Sequence, residues 1–451
     1  MSSEQVTLCE LPDELLLEIL RHLNTIRSYE TLSVAFKDKV TEKARQRENH
    51  VRQLALYNLC LVCKHVQRIA TPVLYSSFTG AATWHGIEPL RSFSRTLTEN
   101  SDSSGHQFKY AAYLQYVENR LSDWRGNNLY DDAETPDFFQ MLTLYFYFLA
   151  NVVNLAANIQ HLSIASLETR DVTFWGFILP ERDMDGMTVL AQHGLRKLQT
   201  LCFEVSHFGY IKKSFFRKIC SAIASVPLLS DLRASGVMDI LPRSRPLSGS
   251  YQHLQRLEIT DCILDLEMVI QMWSACKGLR HIVWSCAFLD WEGETLSDLY
   301  PALLSHCDTL ETLHLDFHDA SFDDDLVEPQ CLGTLRPFTR LKSLTISENG
   351  FLGEPSPFAA SDSSSPNPHI ATLLPCELES FTLLLDTSKR EAWNERMDDS
   401  VDMWNLVTDC NSSMLSLKDV KVRGDASLRR ASRLKRAFSE VGVRFQVIVD
   451  E

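Results

Sequence analysis

Cys60 and Cys63 form a Cys-x-x-Cys pair with His65 two residues further on, the one spacing in the chain that imitates a metal site. Zinc needs a second ligand pair at a matching distance, and none is spaced for it. The pair therefore reads as two core-facing thiols of a helix. Asp323, Asp324 and Asp325, and again Asp398 and Asp399, gather carboxylates. They lack the glycine turn and terminal glutamate of a calcium loop. No Walker loop, G-x-S-x-G, H-E-x-x-H or Rossmann glycine fingerprint occurs. No metal, no cofactor and no catalytic residue is expected, and the chain is not expected to be an enzyme. The chemistry left to it is binding.

Two short segments near the start are built for that. Leu8 to Leu23 carries Pro12 where a helix would begin, at a position whose N–H has no intrahelical partner. Asp13 and Glu14 occupy the first turn, and Arg21 and His22 the last, as the helix dipole favours. Leu15, Leu16, Ile19, Leu20 and Leu23 recur at helical spacing, and Leu17 widens the stripe. In Leu59 to Ala70, Leu59, Val62, Cys63, Val66, Ile69 and Ala70 repeat at the same period, with Lys64, His65, Gln67 and Arg68 opposite. Each segment is too short to stand alone.

Together they resemble the F-box, the helical module that plugs a protein into an SCF-type ubiquitin ligase. The resemblance rests on Leu11-Pro12, on Leu15, Ile19 and Leu20, on Leu61-Val62-Cys63-Lys64, and on the run from Ala70 to Tyr75, which is similar to the exit of fungal F-box proteins. It implies that Leu11, Pro12, Leu15, Ile19, Leu61, Val62 and Val66 bind a Skp-family adaptor and, through it, a cullin. Val66 stands where the family usually carries Trp. The family joins its helices by a few residues, whereas thirty, Asn24 to Gln53, intervene here. Lys39 to Arg52 is a good helix former with few apolar positions. It is expected either to project into solvent or to extend the second helix backwards, and to matter little, because loop-closure entropy grows slowly with length.

The 451 residues suffice for one small and one large domain, an F-box over 1–80 and a body over 81–451. Net charge is −15, yet residues 1–78 hold ten basic and nine acidic groups, so the acidity belongs to the body. An acidic body argues against nucleic acid as a partner. Glu4 and Glu10 stand where a signal peptide would be basic. Phe138 to Ala157 is apolar for about a membrane's thickness, but Gln140, Asn151 and Asn154 interrupt it. A buried helix is expected there, no membrane partner, and a cytoplasmic or nuclear location for a chain whose cysteines lie on apolar faces.

From residue 159 a pattern recurs: apolar-x-x-apolar-x-apolar. Its nine copies start at Ile159, Leu198, Leu229, Leu254, Leu279, Leu310, Leu341, Leu378 and Leu417, and Leu114 to Val117 is a degraded earlier copy. The last two apolar positions alternate with polar ones, as in a strand with one buried face. Helical stretches such as Phe215 to Ala224, Leu266 to Ala275 and Leu299 to Leu304 lie between copies. The pattern resembles a degenerate leucine-rich repeat of the kind fungal F-box proteins carry. The expected fold class is α/β: a helical F-box, then an irregular solenoid with a curved parallel sheet.

In such an arc the polar strand positions face inwards. They include Thr200, Cys202 and Glu204, and the positions expected to bind a target, Arg256, Glu258, His281, His314 and Asp316. Residues 99–106, 241–250 and 353–369 read as loops, the last with Ser356-Pro357 and Ser365-Pro366. Arg429, Arg430, Arg433, Lys435 and Arg436 form a basic helix face that caps the arc. The resemblance implies the substrate-recognition subunit of a ligase with an unknown protein target. The alternative is a repeat scaffold in which the N-terminal helices merely cap the array.

Overall fold

Every copy of the apolar pattern is a β-strand. The computed structural model describes residues 10–31, 38–99, 110–121, 136–168, 174–178, 195–207, 216–239, 250–286, 289–291, 296–317, 320–322, 331–352, 370–385, 401–423 and 431–448. They fall into two compact units, residues 1–235 and 236–451. Both are α/β.

The first unit opens with α1 (Asp13–Arg21), α2 (Lys39–Cys60) and α3 (Lys64–Leu74). It continues through β1 (Ser77–Ala82), α4 (Trp84–Glu99), β2 (Tyr116–Leu121), α5 (Pro136–Leu155), β3 (His161–Glu168), α6 (Phe174–Ile178), β4 (Thr200–His207), α7 (Phe216–Ile223) and β5 (Asp231–Ser235). Its strands pair in chain order, all parallel.

The second unit holds β6 (Met238–Asp239), β7 (Arg256–Leu264), α8 (Leu266–Ala275), β8 (His281–Cys286), β9 (Leu289–Trp291), α9 (Leu299–Leu304) and β10 (Thr312–Asp316). There follow β11 (Ala320–Phe322), β12 (Ser343–Ser347), α10 (Glu348–Leu352), α11 (Ile370–Leu373), β13 (Ser380–Leu384), α12 (Val401–Asp409), β14 (Asp419–Arg423), α13 (Ala431–Glu440) and β15 (Arg444–Ile448). Its main sheet runs β7-β8-β10-β12-β13-β14-β15, again parallel; β6 joins β7, and β9 pairs with β11.

The register is that of the pattern. Leu257, Ile282, Leu313, Leu344, Phe381, Val420 and Phe445 stand opposite one another across β7 to β15, and all are buried. Their neighbours along each strand point to the other face, as the period of two requires. The residue two places before each of the first five of these positions carries a carbonyl that accepts two bonds. Arg280, Glu311, Lys342 and Glu379 each receive two consecutive amides of the next strand. The side chains at this position form a ladder of alternating sign: Arg280, Glu311, Lys342, Glu379, Lys418. Arg280 pairs with Glu311, and Lys418 Nζ lies 2.5 Å from Glu379 Oε2.

Besides the short β6, β9 and β11, two strands lie outside the leucine pattern. β15 uses Phe445 and Val447 in register with Val420 and Val422. β1 uses Phe78 and Gly80 opposite Val117 and Asn119. A Cβ on Gly80 would sit 2.7 Å from the Tyr145 hydroxyl and from a Phe78 ring carbon, so the close approach of α5 demands glycine. Asn119 fills an apolar slot by bonding both the amide and the carbonyl of Ala165 on β3, at 3.1 and 2.9 Å.

Two boundaries need correction. The domain limit expected at residue 80 cuts through β1, so the N-terminal helices and the first strands share one unit. The segment read as one helix from Leu59 to Ala70 is broken. α2 stops at Cys60, Leu61 and Val62 form a turn, and Cys63 is extended (φ −160°, ψ 164°) before α3 begins.

Candidate functional site

The three N-terminal helices close on a small core of Leu16, Leu20, Leu56, Val66, Ile69 and Ala70. Arg68 and His65 bind Asp13 at 2.6 and 3.5 Å, and His65 Nε2 donates to the Leu11 carbonyl. These contacts tie the start of α3 to the start of α1. On α1, Leu15 and Ile19 are four residues apart and therefore share one face, while Leu16 and Leu20 take the core face. Leu15 is 54% exposed, Ile19 44%, Leu17 40%, Leu61 67% and Val62 52%. Leu11 is partly exposed and packs at the edge of the core, and Pro12 is exposed. These five large apolar side chains remain in solvent, as do Val40, Val51, Leu54 and Tyr57 of α2. Val66 is not among them. It is 1% exposed, because α3 starting at Lys64 turns positions 66, 69 and 70 towards α1 and α2. It is a core residue, not a docking residue. Cys60 and Cys63 pack against the same core, and Cys60 Sγ lies 3.8 Å from Thr71 Oγ1. Among the described residues no group of His, Cys, Asp or Glu is arranged to hold a metal ion.

The described helical part of the inserted segment packs against the fold. Lys39 to Gln53 extends the second helix backwards and buries Glu42 and Asn49. Asp38 caps it by accepting from the Thr41 amide. Arg45 is the hinge of its packing. It reaches Glu42 at 2.8 Å and Glu118 of β2 at 2.7 Å, and donates to the Ile26 carbonyl at 2.7 Å. Arg120 pairs with Glu42 at 2.7 Å and with Glu118, and the Tyr116 hydroxyl donates to Glu118. Burial pushes the Glu118 carboxyl up, and Arg45 opposes that shift. Burial, then the Glu118 charge, holds the Tyr116 phenol far above its ordinary range. The alternation of charge in this segment hid the contact: its buried side chains are polar, and apolar periodicity is blind to them.

Residues 25–31 cross the polar face of the same sheet, strand by strand. Thr25 and Ser77 share a hydroxyl bond on β1, and the Ser28 amide donates to Tyr116 on β2. The Tyr29 ring stands edge-on to His161 on β3, and Cys202 Sγ on β4 donates to the Tyr29 carbonyl. Glu30 meets Arg233 on β5 at 2.8 Å. Thr200, Cys202 and Glu204, expected to face a partner, are consequently buried.

His161 lies under this crossing, stacked on Tyr116 at 4.6 Å, and its ring nitrogens have no hydrogen-bond partner among the described residues. Burial, then Arg27, Arg233 and Arg45, pull its pKa from 6.5 down to about 3. The unfolded chain therefore binds the extra proton between these two values. Stability should be full above pH 6.5 and fall towards pH 3, by up to ~1.4 kcal/mol per pH unit. His161→Phe keeps a ring and removes the titration, so its melting temperature should fall less steeply over that range. Parallel pH profiles for the two proteins would show that His161 does not stay neutral.

In the second unit the polar faces of β7, β8 and β10 bring together Arg256, His281 and Thr312 in one row, Glu258, Val283 and His314 in the next, and Ser285 and Asp316 in a third. His281 Nδ1 bonds Thr312 Oγ1 at 3.2 Å, and Asp316 accepts from Ser347 at 3.1 Å. Arg256, His281, His314 and Asp316 are partly exposed. Glu258 is not: it is 5% exposed, its carboxylate 3.4 Å from Arg256 on the same face of the same strand. It supports the surface and does not form it.

Among the described residues one helix, Asp137–Leu155, is long and apolar enough to cross a membrane. Met141, Leu142, Tyr145, Phe146, Leu149, Val152 and Val153 of that helix are buried within the fold. Arg433, Lys435 and Arg436 are exposed on α13, opposite buried Leu434 and Phe438. Asp323 to Asp325, Asp398, Asp399, Arg429, Arg430, 241–249 and 353–369 lie outside the described residues, as do 100–106. No protein-family model matches the chain, and no curated protein matches it.

Proposed function

We propose that the chain is the substrate-recognition subunit of an SCF-type ubiquitin ligase: its N-terminal helices act as an F-box that docks a Skp-family adaptor, and a leucine-rich-repeat-like solenoid formed by its strands binds a protein target. One observation carries the reading. Leu15, Ile19, Leu61 and Val62 expose apolar side chains on a helical module whose core is otherwise filled. Exposure of that kind marks an interaction site. In this reading the chain does no chemistry. It holds a target near an activated ubiquitin carried by other subunits, and catalysis gains from proximity.

The test uses the full chain. Co-expressed with a Skp-family adaptor it should copurify, together with a cullin. Leu15→Ala and Leu61→Ala should each weaken binding about 30-fold, the value of a ~2 kcal/mol anchor. Neither should move the melting temperature, since both side chains are exposed. Val66→Ala should do the reverse. A chain that never copurifies with the adaptor, even when both are overproduced, removes the ligase reading.

The second reading, a repeat scaffold capped by its own helices, draws on the bonds from Arg45 and Arg52 that fasten α2 to residues 24 and 26, and on Arg45 to Glu118. It holds if the protein acquires target partners without adaptor or cullin.

A further inference from the structure

The polar face of β1 to β5 is already filled, and by a segment that lies on it as a ligand would. Residues 25–31 belong to no helix or strand, and residues 25–30 make no backbone–backbone hydrogen bond among the described residues. Side chains of the sheet hold them instead: Ser77, Tyr116, His161, Cys202 and Arg233, one from each strand in spatial order. Asn49 and Arg45 of α2 fasten the backbone of Ile26; beyond it the sheet grips a hydroxyl residue, an aromatic residue and an acid in succession, Ser28, Tyr29 and Glu30. It is also incomplete. Tyr29 is 44% exposed and the Glu30 side chain 47%. A gap of about 10 Å³, room for roughly one water, remains where Ser28, Glu30 and Thr31 pass over Glu118, Cys202 and Glu204. Against the Tyr29 ring, the ring nitrogens of His161 stay without a hydrogen-bond partner among the described residues.

We propose that this face is a receptor for an extended peptide and that residues 25–31 are its intramolecular occupant. The external ligand is a protein segment presenting a small hydroxyl residue, an aromatic residue and an acidic residue in sequence. Its ring stands against His161 and its carboxylate meets Arg233. The proposal rests on the target-binding reading above, but not on adaptor docking, so each can fail without the other. Side chains hold residues 25–30, those of the sheet and, at Ile26, Asn49 and Arg45 of α2, so exchange replaces side-chain anchors.

The experiment measures fluorescence anisotropy of a labelled peptide with the sequence of residues 24–31. The receptor is the full chain in which Arg27 to Thr31 are replaced by a Gly-Ser run of equal length. The peptide should bind this variant at least tenfold more tightly than the intact chain, whose site is occupied. Adding Arg233→Glu to the variant should abolish the gain, and a peptide with Lys in the place of Glu30 should restore it. If the replaced chain does not fold, the double substitution Tyr29→Ala and Glu30→Ala in the intact chain carries the test. It loosens the occupant at its two exposed anchors, so peptide binding should rise at least threefold over the natural chain. Equal binding to the natural and the loosened or replaced chain, or no binding to a folded replaced chain, overturns the proposal.

Discussion

Glu118→Ala is expected to lower the stability of the first unit by about 3–5 kcal/mol, the penalty for leaving buried cations without their counter-charge. Glu118 is 4% exposed and faces Arg45, Arg120 and the Tyr116 hydroxyl at once. Alanine would leave Glu42 as the remaining acid between two guanidinium groups whose side chains are only 11% and 12% exposed. A thermal melt should show a fall of roughly 10 °C, since ~1 kcal/mol moves a domain of this size by a few degrees. Glu118→Gln, which keeps the shape and loses the charge, should fall between the two. Replacing Arg45 by alanine should have an effect of the same order, and the double variant should be less damaged than the sum, because both changes disrupt one network. A loss under ~1 kcal/mol for Glu118→Ala would mean that water reaches the carboxylate and that α2 is not fastened to β2.

This network marks where sequence reading stopped. The strands from Ile159 onward were legible because leucine, isoleucine and phenylalanine repeat at period two after a fixed lead, and the helices Leu266–Ala275 and Leu299–Leu304 emerge with the bounds their periodicity implied. β1 and β15 were not, because glycine and phenylalanine stand where the pattern has leucine. Of the two expectations for Lys39 to Arg52, the backward extension of the second helix holds, but its packing was not legible, for a different reason. Glu42, Arg45 and Asn49 are buried through pairing with one another and with β2, and no single-chain signal distinguishes a paired buried charge from a solvated one. Val66 is placed at the interface by the resemblance alone; its own spacing puts it on the stripe with Ile69 and Ala70, opposite Lys64, His65, Gln67 and Arg68. The break at Leu61–Cys63, set by an extended Cys63, turns that stripe towards α1.

Leu313→Ala should cost about 2–5 kcal/mol, the usual result of emptying a buried leucine site. Leu313 is wholly buried and stands between Ile282 and Leu344 in the central row of the second unit. His314→Ala, one residue along and on the partly exposed polar face, should cost no more than about 1 kcal/mol. The pair reads the register directly, because a slip by one residue would exchange their fates. Similar losses at both positions in a denaturant titration would show that 312–316 does not bury one face only. The polar rows containing Arg256, His281, His314 and Asp316 would then have no basis as a binding surface.

The alternation Arg280, Glu311, Lys342, Glu379, Lys418 has a consequence for how such an array can change its length. Glu311, Lys342 and Glu379 each have a neighbour of opposite sign on either hand within the row. Excising a single strand–helix unit would set two like charges side by side, for example Arg280 against Lys342. Excising two would close the row with its signs still in step. Growth and shrinkage of this stretch are therefore easier by pairs than by ones. A tandem duplication within it should be best tolerated when its period is two units, about sixty to seventy residues at the spacing of these strands.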